Sequence, residues 1–168
     1  MVSLRKASED DIRALSKKLL TMLENKDQFY RDNVTKFGIP ENYVRDAFSA
    51  DVLLGPVREG VSRIYLALEG NEILGFAQTI ERGSGNVELD RIVVFPDHSG
   101  KGIGTQLLGE VLADQKQEGI RTITVNAGQD ETHARRFYEK NGFVKVNQFT
   151  IDAPWGRKLN LVTYQLDL

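Results

Sequence analysis

Cysteine is absent from this chain. That excludes disulfides, thiolate metal sites and a cysteine nucleophile. It fits a reducing compartment, and a cytoplasmic location is the expectation. Histidine is scarce as well. His98 and His133 stand alone, with no carboxylates clustered around them, so no metal is expected. Neither sign of charge dominates: 22 basic residues face 24 acidic ones. Nothing in that balance draws the chain toward nucleic acid or an anionic membrane. No apolar run approaches the ~20 residues of a membrane span. Residues 1–6 lack the apolar stretch of a signal peptide. Repeats, low-complexity tracts and evident linkers are missing too, so residues 1–168 are expected to form a single domain.

What is present is a run of alternating elements. Residues 2–6 read as a strand. Ser8-Glu9-Asp10-Asp11 has the form of a capping box, and Ile12, Leu15, Leu19, Met22 and Leu23 follow at helical spacing. Residues 26–56 look irregular, with one helix after Pro40. Residues 64–68 and 73–80 form a hairpin around Glu69-Gly70-Asn71-Glu72. A strand over 87–95 leads to a helix from Thr105 to Gly119. A strand over 120–125, a helix over 132–140 stopped by Asn141-Gly142, and strands over 143–151 and 159–166 complete the order. This predicts an α/β (α+β mixed) fold, a mixed sheet with helices on its faces.

The strand-to-helix passage Ile92-Val93-Val94-Phe95-Pro96-Asp97-His98-Ser99-Gly100-Lys101-Gly102-Ile103-Gly104-Thr105 carries the first chemical signal. Glycines at alternate positions bare the backbone amides beside the positive end of a helix. Such a place suits an anion, and a diphosphate best. A Walker loop is excluded because Gly102 follows Lys101 where a hydroxyl is needed. A dinucleotide fingerprint is excluded because Leu107 stands where its third glycine belongs, and because several strands precede the loop. A turn that merely lets strand and helix pack closely remains open on the glycines alone.

A second motif bears on that choice: Val125-Asn126, then Ala134-Arg135-Arg136-Phe137-Tyr138-Glu139-Lys140-Asn141-Gly142-Phe143. With it the chain resembles the GCN5-related N-acetyltransferases, the GNAT superfamily. Their acyl-CoA loop reads Gln/Arg-x-x-Gly-x-Gly/Ala, and their later motif reads Ala-x-x-Phe-Tyr-x-x-x-Gly-Phe. The chain departs at Ser99, and at Glu131, where many members carry Asn. The resemblance is sharp over about 60–146 and topological before that. It implies the GNAT fold: a mostly antiparallel mixed sheet of about seven strands, with parallel fourth and fifth strands that splay apart and helices on both faces.

The resemblance also implies roles. Backbone groups of Ile92, Val93 and Val94 would pair with the pantetheine arm of acetyl-CoA. Backbone amides of Ser99, Gly100, Lys101, Gly102, Ile103, Gly104 and Thr105 would cradle its diphosphate. Asn126, Ala134 and Phe137 would lie beside the cofactor; Asn126 also suits an ordered water or the acceptor amine, or a plain turn, and Phe137 suits the core. Tyr138 would protonate the departing thiolate, since a phenol is a competent donor. Glu88 would be the base, directly or through water. Asp90 and Ile92 would share its face by strand alternation. Ion pairs with Arg82 or Arg91 are the competing use of the two acids. His98 and His133 read as bystanders.

The implied activity is acetyl transfer from acetyl-CoA to a primary amine, with no nucleic-acid or membrane partner. The acceptor is expected to be a small-molecule amine or polyamine. A protein N-terminus or lysine is the alternative, and a non-catalytic acyl-CoA-binding sensor is the alternative of another class. Tyr30, Phe37, Tyr43 and Trp155 are candidate walls of an acceptor site across the sheet. Exchange of the last strand in the family leaves a homodimer open.

Overall fold

The computed structural model describes the backbone of all 168 residues and every side chain but those of Phe29 and Asn33. The elements run β1 (Ser3–Lys6), α1 (Glu9–Glu24), α2 (Gln28–Tyr30), a π-helical turn (Arg31–Thr35), α3 (Glu41–Ala47), α4 (Ala50–Arg58), β2 (Ser62–Glu69), β3 (Glu72–Glu81), β4 (Asn86–Val94), α5 (Ile103–Gln117), β5 (Thr122–Gly128), α6 (Thr132–Lys140), β6 (Val144–Asp152) and β7 (Lys158–Asp167). No helix among the described residues is long and apolar enough to cross a membrane.

Seven strands form one sheet in the order β1-β2-β3-β4-β5-β7-β6. Every neighbouring pair is antiparallel except β4 and β5. Those two pair only at Asn86↔Thr122, Val87↔Ile123 and Glu88↔Thr124. Beyond Glu88 the edge of β4 that faces β5 is open, so the expected splay is present.

Alternating side chains build a separate core on each face. On one, Ile12, Leu15, Leu19 and Leu23 of α1 are fully buried with Val44, Phe48, Leu53 and Leu54 against Ile64, Leu66 and Phe76. On the other, Leu107, Leu108 and Val111 of α5 and Tyr138 of α6 pack on Tyr65, Ala67, Leu89, Val125 and Tyr164. The capping box holds: Ser8 Oγ accepts the Asp11 N–H at 3.1 Å, and the Asp11 carboxylate accepts the Ser8 N–H at 3.0 Å.

Four local expectations are corrected. Residues 26–56, expected to be irregular apart from one helix after Pro40, are largely helical: α3 is the helix expected, and α2 and α4 are additional. Ser49 caps α4 by accepting the Val52 N–H, and Pro56 lies in the last turn of that helix, where it withholds one intrahelical donor. Helix α5 starts at Ile103, not Thr105, because Gly102 takes the left-handed conformation (φ 76°) just ahead of it. Strand β5 runs to Gly128, past the 120–125 expected.

The fourth correction matters most for the site. The register between β3 and β4 slips so that Leu89 faces Thr79 and Arg91 faces Gln78, leaving Asp90 as a bulge. Val87 and Leu89 belong to the α5-side core, and after the bulge Ile92 and Val94 pack against that same core. Glu88 and Ile92 therefore do not share a face.

Candidate active site

The first cavity, of about 380 Å³, opens where β4 parts from β5. Ile92 and Val94 form its floor, the passage from His98 to Thr105 one wall, and His133, Ala134, Phe137 and Tyr138 of α6 the other. The three glycines serve different ends. Gly100 and Gly102 have φ of 77° and 76°, a region other residues enter at a cost. Nothing lies within 4 Å of where their side chains would be. Gly104 is helical, and a Cβ there would make only an ordinary contact, 3.5 Å from the Phe137 ring. The first intrahelical bond of α5 is Gln106 N–H to Gly102 O. Among the described residues the amides from Gly100 to Thr105 have no backbone acceptor, and they gather at the N-terminus of a fifteen-residue helix.

Tyr138 is buried, with ring centroids of Phe137, Phe143 and Tyr164 at 5.6, 5.7 and 6.2 Å. Its hydroxyl has no hydrogen-bond partner among the described residues, and the residue lines the cavity. Burial first, and the negative charge of Glu131 second, push its pKa up to about 12. The phenol is held protonated at neutral pH.

A second cavity, of about 500 Å³, lies at the C-terminal end of β5. It is lined by Lys36 and Phe37, by Gly128 to Glu131, and by Arg157 to Leu161 at the start of β7. The segment after α1 closes onto the β6–β7 turn there. Arg157 Nη1 donates to Lys36 O at 3.3 Å, and the Tyr43 and Trp155 rings stand 6.0 Å apart.

Residues 60–145, half of the chain, match the family described as "Acetyltransferase (GNAT) domain". The chain belongs to the GNAT acetyltransferases. Among characterised relatives it is similar to a mycothiol acetyltransferase of Nocardiopsis dassonvillei, 45% identical over 37% of this chain and 18% of that one. It is also similar to the [ribosomal protein bS18]-alanine N-acetyltransferase of Haemophilus influenzae, 33% identical over 55% of this chain and 64% of that one. The match thus spans less than two thirds of either relative. Among solved structures, the PaiA N-acetyltransferase of Thermoplasma acidophilum in complex with coenzyme A superposes with a TM-score of 0.71 at 22% identity, covering 97% of this chain and 98% of that one. A GNAT acetyltransferase of Staphylococcus aureus reaches 0.75 at 19% identity, covering 100% and 99%.

Within this GNAT fold the anticipated residues divide. Ile92, Val94, Ser99, Gly100, Gly102, Ile103, Gly104, Thr105, Ala134, Phe137 and Tyr138 all line the first cavity. Val93 packs into the opposite core. Lys101 is exposed and lies off the cavity wall. Ser99 is committed elsewhere: its N–H and its hydroxyl both donate to Pro96 O. Asn126 points away from Tyr138, because Val125 and Ala127 fill the α5-side core, and its Oδ1 accepts from Thr163 Oγ1 at 2.6 Å.

Glu88 lines neither cavity. It lies opposite Thr124, at the last position where β4 and β5 still pair, with Arg82 Nη2 3.3 Å away. Asp90 pairs with Arg91 at 3.3 Å, and that guanidinium lies over the Phe48 ring.

Both histidines, read as bystanders, face the first cavity, and His98 Nε2 lies 3.1 Å from Glu72 Oε1. Of the expected acceptor walls, Phe37 lines the second cavity, Tyr43 and Trp155 meet beside it, and Tyr30 packs on the α1-side core. Sequence reasoning missed Glu131 as a site residue. Its one signal was the departure from Asn at that position.

Proposed function

We propose that this GNAT protein transfers an acetyl group from acetyl-CoA to the primary amine of a small molecule. The observation that carries the reading is the shared cavity: an open strand edge, a run of unpaired amides at a helix N-terminus, and the protonated Tyr138 all line it. Acetyl-CoA supplies an activated acetyl thioester with a fair leaving group. The protein's part is then positioning and proton traffic. The free edge at Ile92–Val94 pairs with the amides of an extended arm as an added strand would. The amides from Gly100 to Thr105 hold the diphosphate, which needs no lysine or arginine in the lining. Tyr138 donates its proton to the departing sulfur. Glu88, paired with Arg82, stands outside both cavities and has no direct reach to the thioester.

The second cavity takes the acceptor. Its lining sets Lys36, Arg157 and Lys158 against Asp130 and Glu131, a net positive charge that suits a monoamine better than a polyamine. A peptide N-terminus is the second reading, favoured by the similarity to the Haemophilus enzyme, which is described as acetylating a ribosomal-protein alanine. Calorimetric titration with acetyl-CoA, followed by thiol release across small amines and an alanyl peptide, tests both. Binding without turnover on any amine would replace this reading with that of an acyl-CoA sensor.

A further inference from the structure

Glu131 stands on the second cavity at the foot of α6, the helix that carries Tyr138 and lines the first. Its carboxylate does not cap that helix. Instead Oε1 accepts the Gly128 N–H at 2.7 Å, which holds the side chain in place. Gly128 fits this contact by having no side chain: a Cβ there would lie 2.8 Å from Oε1. The second oxygen, Oε2, has no partner among the described residues. Electrostatically the carboxylate is close enough to Tyr138 to disfavour its phenolate.

Glu88 differs in two respects: its Oε2 is paired with Arg82, and it stands outside both cavities. A base for the attacking amine must lie on the acceptor's side of the thioester, ionised and with a free lone pair. Resting on the acetyl-transfer reading, we propose that Glu131 is the residue that takes the proton from the acceptor amine.

The balance is simple. The amine nitrogen forms a bond to the acetyl carbon as the carbon–sulfur bond breaks. The proton lost by nitrogen goes to Glu131, and the proton gained by sulfur comes from Tyr138. Solvent then removes the first and restores the second. A carboxylate on the acceptor side and a phenol on the thiol side thus divide the two transfers, and burial first, the carboxylate second, keep the phenol protonated.

The decisive variant is Glu131→Gln, because the glutamine carbonyl still accepts the Gly128 N–H and only the ionisable oxygen is lost. Wild type, Glu131→Gln and Glu88→Gln are compared for kcat, for calorimetric affinity toward acetyl-CoA, and for Tyr138 titration by tyrosine-labelled NMR. Glu131→Gln should lower kcat at least about 100-fold, the size of a lost general base. Acetyl-CoA affinity and thermal midpoint should hold, and Tyr138 should titrate at lower pH. Formate should restore turnover to Glu131→Ala, which keeps the test valid if the glutamine variant misfolds. Wild-type kcat in Glu131→Gln, or a loss found in Glu88→Gln instead, overturns the assignment. A wild type that binds acetyl-CoA yet acetylates no amine overturns the acetyl-transfer reading itself.

Discussion

Gly75 of β3 lies directly against the backbone of Val93 in β4: a Cβ at position 75 would fall 2.5 Å from the Val93 carbonyl oxygen and 3.1 Å from Val94 Cα. Nothing flexible is available to give way, since both atoms belong to the strand whose free edge borders the first cavity. Gly75→Ala must therefore push β4 itself. We expect a loss of about 1–3 kcal/mol in a denaturant midpoint, the usual range for forced overpacking. Weaker acetyl-CoA binding by calorimetry should accompany it. A variant with unchanged stability and affinity would show that β4 tolerates the shift.

Gly102 and Gly104 should respond differently to alanine. Position 102 has open space but a left-handed backbone (φ 76°), so Gly102→Ala should cost about 1–2 kcal/mol of strain and turn the amides away from the diphosphate. Position 104 is helical, and its Cβ would make an ordinary contact with Phe137, so Gly104→Ala should be neutral in stability or gain up to about 1 kcal/mol. Paired chemical denaturation of the two variants reads the difference.

Tyr138→Phe should lower kcat by about 100-fold and leave the acetyl-CoA Kd intact, as the loss of a proton donor requires. Stopped-flow thiol release and calorimetry separate the two effects. An unimpaired kcat would remove Tyr138 from the proton path.

The same residue makes a prediction about alkaline stability. Its folded pKa of about 12 lies above the ordinary 10.0, so between those values the native state keeps a proton that the unfolded chain has lost. Stability must fall as pH rises through that window. In Tyr138→Phe the fall should be one proton shallower, measured by urea midpoints at stepped pH.

Asp114 ties β1 and β2 to α5. Tyr65 Oη donates to it at 2.5 Å, Arg63 Nη1 at 2.8 Å, and Lys6 Nζ lies 3.2 Å away. Burial raises its pKa, but the hydrogen bonds from Tyr65, Arg63 and Lys6 outweigh burial and hold the carboxyl below its ordinary value of 3.8. A depressed carboxylate stabilises above the unfolded value and loses that contribution as pH falls below it. Asp114→Asn should cost about 2 kcal/mol at neutral pH. It should also flatten acid unfolding below pH 3.8. Thermal melts across that range check both.

Several elements could be read from local chemistry because their causes are local. The Ser8–Asp11 box starts α1, and Asn141-Gly142 stops α6 at Lys140. The glycine run marked the first cavity for the same reason, since φ above zero and bare amides are properties of a few consecutive residues. The helix expected after Pro40 is α3, but α4 escaped notice because its stability comes from burying Leu53 and Leu54 on the sheet, not from propensity. The bulge at Asp90 escaped because alternation assumes an unbroken ladder, and one extra residue turns every later side chain over. That slip separates Glu88 from Ile92.

By itself the sequence determined the strand order along the chain and marked the glycine loop and Tyr138, all set by period, turn chemistry and motif within short windows. Only the tertiary structure decided which acids stand near Tyr138. It left Glu88 with Arg82 and set Glu131 on the lining of the second cavity. The reason is physical: a carboxylate's role follows from what desolvates it and what lies across from it. Those neighbours come from strands and loops distant in the chain.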